Sequence, residues 1–186
     1  MAGKRRYEDS CGLAQALNVV GERWALLVVR ELVLGPKRFS DLRADLPGVS
    51  PNVLSQRLTE LETAGVLQRR KLPPPAGAWV YELTAWGAEL ETVIITLGRW
   101  GARSPFFDRE CGLSVSSVVL SMRTMFRAEA ARGVHLDIGL HLGEHRFHAA
   151  VRDGRFRVEP GEAAEADAVL TTDPVTLATV VYDGRS

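Results

Sequence analysis

The sequence predicts an α+β chain in two parts, a mostly helical first part carrying one hairpin and a second part built from a helix and an antiparallel sheet. Three observations carry this. Apolar residues recur at helical spacing through the first hundred positions, broken once by two strand-like runs around a proline cluster. From Val134 the apolar period drops to two, with Leu136, Ile138, Leu140 and Leu142 facing one way. Ser104-Pro105 and Cys111-Gly112 fall between these two patterns and mark the seam, which divides the chain into domains 1–105 and 112–186.

The first helix is expected from Cys11 to Val20, with Leu13, Leu17 and Val20 on one stripe. The second, Arg23 to Leu34, is apolar nearly all round, as a central helix covered on most faces would be. Gly35-Pro36 stops it. A short helix from Phe39 to Leu46, with Ser40 as its cap, ends at Pro47-Gly48. Ser50-Pro51 is a strong start signal, because Ser can cap and Pro fits the first helical position, where an N–H has no partner anyway. That helix runs to Ala64, and Gly65 suits the left-handed residue past its end. Val66 to Leu72 and Trp79 to Leu83 read as two strands around Pro73-Pro74-Pro75-Ala76-Gly77, a tip that cannot join a ladder. Thr84 caps a long helix reaching about Trp100. Beyond the seam come an amphipathic helix through Val115, Val118, Val119, Met122, Met125 and Phe126, hairpin turns at Gly143-Glu144 and Asp153-Gly154, a strand from Val169, and a last helix opened by Asp173-Pro174.

Composition narrows the function classes. The longest apolar runs are far shorter than the ~20 residues of a membrane span, and Met1 to Asp9 is polar, so no membrane association and a cytoplasmic location are expected. Two cysteines a hundred positions apart make neither a disulfide framework nor a CxxC zinc site. No nucleophile elbow, phosphate loop or carboxylate pair is present, so neither an enzyme nor a cofactor is expected. Residues 1–105 carry 14 Lys and Arg against 11 Asp and Glu, and the remainder carries 9 against 12, so the halves differ in sign.

The helix from Pro51 holds the functional pattern. At about 100° per residue, Leu54, Leu58 and Leu61 share a face that must be buried, while Asn52, Ser55, Gln56 and Thr59 share the opposite one. Short amides and hydroxyls without acids are suited to reading base edges. A short helix, a tight turn and a proline-started second helix make the helix-turn-helix arrangement, with Ser50 at the turn. The hairpin adds Arg69, Arg70 and Lys71, and Lys37 and Arg38 precede the short helix; these cations are candidate phosphate contacts. The same features also suit a protein-interaction module with a solvated, basic strand edge.

Residues 11 to 101 resemble the HxlR family of bacterial winged-helix regulators, relatives of the MarR group. The resemblance rests on Cys11, Gly21-Glu22-Arg23-Trp24, the run Gly35-Pro36-Lys37-Arg38-Phe39-Ser40-Asp41-Leu42, and Leu46-Pro47-Gly48-Val49-Ser50. It continues through Leu54, Arg57-Leu58, Leu61-Glu62, Gly65-Val66-Leu67, Tyr81-Glu82-Leu83-Thr84 and Gly87. The family usually has Gly and Lys where this chain has Glu22 and Arg23. The resemblance implies a sequence-specific regulator, expected to be a repressor, bound to double-stranded DNA at a near-palindromic operator. The last helix of this half carries an apolar stripe of Trp86, Leu90, Val93, Ile94, Leu97 and Trp100 that a second domain could cover. The resemblance implies instead a homodimer built from this helix and the first, through Leu13, Leu17, Leu90, Ile94, Leu97 and Trp100. It also implies a redox-sensing alternative through Cys11, the place where some relatives sense oxidants.

Residues 114–186 resemble, less closely, a sterol-carrier-protein-like domain, through the Asp153-Gly154 turn and the run Ala166 to Pro174. Such domains normally continue for a further strand or helix, so either a truncated chain or an incomplete domain is expected. The resemblance implies a small hydrophobic effector in a pocket of Met122, Met125, Phe126, Leu136, Ile138, Leu140 and Phe147. The residues equally suit a dry core. His141-Leu142-Gly143-Glu144-His145 spells a zinc-peptidase motif that works only on a helix; here a hairpin is expected, with His141 facing Arg146 and no metal. A third reading remains, a lipid-binding module whose winged helix serves only for dimerisation.

Overall fold

The computed structural model describes residues 6–108 and 112–184; Cys111, placed at the seam by the sequence, lies outside the described residues. The chain separates into two compact units, Met1–Glu91 and Thr92–Ser186.

The first unit contains α1 (Gly12–Val20), α2 (Ala25–Leu32), α3 (Phe39–Asp45), α4 (Pro51–Thr63), β1 (Leu67–Lys71), β2 (Trp79–Leu83) and α5 (Ala85–Ala88). Its core joins Val28, Val29 and Leu32 of α2 to Leu42 and Leu46 around α3, to Leu54, Leu58 and Leu61 of α4, and to Val66, Leu67 and Val80 at the hairpin base. This is the helix-turn-helix with an appended hairpin that the pattern predicts. The second helix starts later than expected, because Trp24 sits at φ 79°, a left-handed conformation that no helix interior accepts. At α3 the expected cap, Ser40, lies inside the helix. The capping position is Arg38, whose N–H donates to the Asp41 carboxylate at 3.1 Å. At α4 the expectation holds in detail: Ser50 Oγ accepts the Val53 N–H at 3.3 Å and Pro51 is the first helical residue.

β1 and β2 pair antiparallel from Leu67↔Leu83 to Lys71↔Trp79. Lys37 adds a one-residue third strand, exchanging both backbone hydrogen bonds with Tyr81 at 3.0 and 2.8 Å. Thr84 Oγ1 accepts the Gly87 N–H at 3.0 Å and donates to the Gly65 carbonyl at 2.7 Å, so one hydroxyl starts α5 and ties it to the end of α4. The approach is close enough that a Cβ on Gly87 would stand 1.8 Å from the Val66 carbonyl oxygen. The single long helix expected after Thr84 is divided at Glu89 into α5 and α6 (Leu90–Gly101).

All but the first two residues of α6 fall in the second unit. The Arg99 guanidinium donates twice to the Thr124 carbonyl, at 3.0 and 2.8 Å, which ties α6 to α7 (Val115–Met125). The division therefore lies earlier in the chain than the Pro- and Gly-marked seam suggests. The rest of the unit is β3 (Leu136–Leu142), β4 (His145–Arg152), β5 (Arg155–Pro160), β6 (Ala168–Thr172) and α8 (Pro174–Asp183), the last capped by Asp173. The sheet order is β5-β4-β3-β6. Leu140↔Phe147, Ile138↔Ala149 and His141↔Arg146 pair as the hairpin reading requires.

The expectation of a purely antiparallel sheet is corrected. β6 runs parallel to β3, from Ile138↔Ala168 to Leu142↔Thr172. After β5 the chain crosses to the other edge of the sheet through 161–167, and Gly139 leaves room for it: a Cβ there would touch Val169 and Ala163. One sheet face packs Leu140, Leu142, Phe147, Ala149 and Val158 into a core shared with Val118, Val119 and Leu120 of α7 and Leu177 of α8.

Candidate nucleic-acid interface

α4 divides as its sequence predicts. Leu54, Leu58 and Leu61 are buried, and Asn52, Ser55, Gln56 and Thr59 are exposed on the opposite side. Thr59 Oγ1 donates to the Ser55 carbonyl at 3.1 Å and Thr63 Oγ1 to the Thr59 carbonyl at 2.8 Å, so Thr59 retains an acceptor for a ligand. Gln56 Nε2 donates to Glu60 Oε1 at 3.0 Å. Ser50 is engaged as the cap, and Asn52 stands exposed one turn before Gln56.

Behind this face lie two buried charges. Arg57 is only 8% exposed. Its guanidinium is bonded to Glu60 Oε2 and has Glu22 Oε2 at 3.7 Å, while its Nε is buried without a hydrogen-bond partner. Glu22 belongs to the α1–α2 turn, so Arg57 connects that turn to α4. Glu31 on α2 is fully buried; Arg30 reaches its Oε1 at 2.7 Å and Lys37 its Oε2 at 2.8 Å. Lys37 also meets Asp45 of α3 at 2.6 Å. The reading of Lys37 as a phosphate contact is thus corrected. Its ammonium is mostly buried between two carboxylates, and its backbone pairs with the hairpin, so it fixes α2, α3 and β2 to one another. Arg38 next to it is exposed.

The hairpin divides its three cations. Arg69 and Lys71 alternate onto the face that carries Tyr81 and Trp79, and the Arg69 guanidinium lies 4.7 Å from the Trp79 ring centroid and 6.0 Å from that of Tyr81. Arg70 points the other way and pairs with Glu82 at 2.6 Å. That guanidinium, hydrogen-bonded beside it, holds the Glu82 carboxyl below its ordinary value. Arg69 and Lys71 are exposed, and Arg70 is already compensated.

The other expected sites fall elsewhere. Cys11 is exposed at the start of α1, its N–H donating to Asp9 at 2.9 Å. Leu13 and Leu17 of α1 are exposed, as are Val93, Leu97 and Trp100 of α6, with Leu90 and Ile94 half-buried. Of the expected effector residues, Leu140 and Phe147 are register partners in the closed core, while Met122, Phe126, Leu136 and Ile138 are half-buried and Met125 is exposed. Two surface depressions of this unit, one lined by Ala128, Glu129, Arg132, Gly133, Asp153 and Gly154, the other by Ala150, Arg152, Asp153, Arg155 and Arg157, include none of the seven. His141 lies across from Arg146 and 3.3 Å from Glu162, within a hairpin. No group of metal-holding residues occurs among the described residues, and none of their helices is long and apolar enough to cross a membrane.

Sequence reasoning missed Glu22, Arg57 and Glu60 as a connected set. The i, i+3 and i, i+4 spacing of Glu60 from Arg57 and Gln56 was a visible signal, whereas the reach of Glu22 to Arg57 depends on how α1, α2 and α4 fold together.

A family model described as HxlR-like helix-turn-helix matches residues 19–106. YvaP of Bacillus subtilis (strain 168), named as an HTH-type transcriptional regulator, is 37% identical over 86 residues, covering 46% of this chain and 80% of that protein. The protein sll1512 of Synechocystis, named likewise, is 35% identical over 92 residues, covering 50% of this chain and 68% of that one. The solved structure of the redox regulator HypR in its oxidized form is similar at a TM-score of 0.48 and 27% identity, covering 52% of this chain and all of that one. The chain belongs to the HxlR-like helix-turn-helix family of transcriptional regulators.

Proposed function

We propose that this regulator binds duplex DNA as a two-fold dimer, reading base edges with Asn52, Ser55, Gln56 and Thr59 of α4 and gripping phosphates with Arg38, Arg69 and Lys71. The observation that carries it is the set of exposed amides and hydroxyls, Asn52, Ser55, Gln56 and Thr59, on one side of α4, fixed at its start by the Ser50 cap and Pro51, with the neighbouring Glu60 carboxylate paired to Arg57. Amides and hydroxyls can match base edges in the major groove. A second copy covers the exposed apolar residues of α1 and α6, and two copies would place their reading helices about one duplex turn (~34 Å) apart on a near-palindrome. Occupying such an operator would make the protein a repressor wherever the site overlaps a promoter. The test is fluorescence anisotropy with a duplex enriched from a randomised pool. Asn52→Ala and Gln56→Ala should each lower the preference for that duplex over scrambled DNA by about 1–3 kcal/mol. Unchanged preference in both would remove α4 as the reader.

For the signal, we favour a small apolar ligand in the second unit. Leu136, Val151 and Phe156 are register neighbours across three strands, all half-buried, and Phe126 stacks on Phe156 at 5.5 Å between centroids. With Met125 exposed beside Phe126, this end of the helix–sheet core is looser than the Leu140–Phe147 end. An apolar fluorescent probe that binds wild type but not Leu136→Asp protein would support it, and equal binding to both would refute it. The exposed Cys11 thiol supports a second reading, oxidant sensing, for which operator binding by Cys11→Ser should be insensitive to peroxide.

A further inference from the structure

A glutamine amide is two-faced. One end accepts hydrogen bonds and the other donates them, and turning the terminal torsion by half a revolution exchanges the two at little cost. A freely turning Gln56 could present either end to a base pair and would discriminate poorly. Its surroundings remove that freedom. The Glu60 carboxylate can only accept, and Gln56 Nε2 donates to its Oε1 at 3.0 Å. The other Glu60 oxygen is bonded by Arg57, and Arg57, 8% exposed, has the Glu22 carboxylate on its far side at 3.7 Å. Glu60 is therefore oriented by a cation that is itself packed between helices. The amide nitrogen of Gln56 is turned toward Glu60, which leaves the carbonyl oxygen and one N–H for a partner.

We infer that Glu60, held by Arg57 and Glu22, is a positioning residue that fixes the amide of Gln56, and that the base read by Gln56 presents a donor next to an acceptor in the major groove. Adenine does so through its N6–H and N7; guanine offers two acceptors, thymine an acceptor and a methyl group, and cytosine a donor with no acceptor of its own beside it. This rests on the proposal that α4 reads base edges, and narrows it to one residue and one base. It also gives the α1–α2 turn a route to the reading face: a shift of Glu22 changes what Arg57, then Glu60, then Gln56 can hold.

The test enriches a randomised duplex pool separately with wild type, Gln56→Ala, Glu60→Gln and the double variant, all as full chains. Wild type should select adenine at one position of each half-site, and Gln56→Ala should lose that choice. Glu60→Gln offers the neighbouring amide both a donor and an acceptor, so it should cut adenine discrimination at that position alone by about fivefold or more. The salt dependence of affinity should stay unchanged, and the double variant should match Gln56→Ala. If leaving Arg57 under-paired lowers folding of Glu60→Gln, the pair Arg57→Met with Glu60→Gln removes both charges and should show the same local loss. Full adenine preference in Glu60→Gln overturns the inference while leaving the reading face intact. A further loss on adding Glu60→Gln to Gln56→Ala overturns it too, because Glu60 would then act other than through the amide. If Gln56→Ala itself keeps the wild-type choice, the reading of α4 fails and this inference falls with it.

Discussion

In the first unit the buried polar groups of the described residues are charges, Glu31 and Arg57; in the second they are hydroxyls, Ser116 and Thr124. The difference is one of reach. Thr124 Oγ1 donates to the Leu120 carbonyl at 2.7 Å, so its polarity is satisfied within α7. Glu31 draws on Arg30 of its own helix and on Lys37 before α3, while Arg57 draws on Glu60 and on Glu22 across the packed helices. Burying ions costs several kcal/mol and adds little net stability, but it holds several elements in one mutual arrangement. That arrangement is what the proposed reading surface needs. In the second unit an ion cluster lies on the outer sheet face, where Asp137 accepts from His148 at 2.7 Å and Arg152 at 2.5 Å. His148, hydrogen-bonded beside it, then Arg152, holds the Asp137 carboxyl below its usual value.

The strongest way to break this comparison is to remove one buried polar group from each unit. Glu31→Ala takes the shared carboxylate from Arg30 and leaves Lys37 only Asp45, and should cost about 3–5 kcal/mol, the range for breaking a buried ion pair. Thr124→Val, which removes a local hydroxyl of similar shape, should cost under about 1.5 kcal/mol. Urea unfolding followed by segment-resolved hydrogen exchange would separate the units. Equal losses in the two variants would show that the buried charges brace nothing.

Close approaches of the backbone offer the next contrast. A Cβ on Gly87 would stand 1.8 Å from a backbone oxygen, whereas one on Gly139 would meet the Val169 side chain at 3.3 Å. Gly87→Ala should therefore destabilise by roughly 1–3 kcal/mol or more, since backbone cannot step aside, and Gly139→Ala by less than about 1 kcal/mol. Thermal melts of the two variants decide it.

A smaller effect separates the hairpin cations. Arg69→Ala and Lys71→Ala should each flatten the log–log salt dependence of DNA binding by about one unit. Arg70→Ala should change it less, because Glu82 already compensates that charge. The pair also carries a weak pH dependence. Glu82 is held below its ordinary value, so the pair stabilises above that value and its contribution disappears as pH falls through the lowered one. For a half-exposed pair the loss should stay within about 1 kcal/mol, and Glu82→Gln should abolish the pH dependence.

Much of the first unit was legible because its signals are local. Ser50-Pro51 starts α4, Gly65 ends it at φ 75°, and the apolar spacing of Leu54, Leu58 and Leu61 sets which face turns outward. The burial of Lys37 and the pairing of Arg70 were not legible for one reason: charge in a sequence does not reveal whether a carboxylate waits across the fold, as Glu31, Asp45 and Glu82 do. In the second unit the β3–β4 register followed from the turn and the alternation, since a one-residue slip would have exposed every core side chain. The parallel entry of β6 was not legible, because strand direction after a crossover depends on the path of 161–167 and not on the pattern of β6 itself.

The central claim is that the first unit meets the duplex through α4 and the hairpin. Hydrogen exchange of the full chain, with and without a duplex enriched from a randomised pool, tests it most directly. Binding should slow exchange in the first turns of α4 and along β1, and leave the outer sheet face around Arg152, Arg155 and Arg157 unchanged. Slowed exchange confined to that face, with α4 and β1 unaltered, would contradict it.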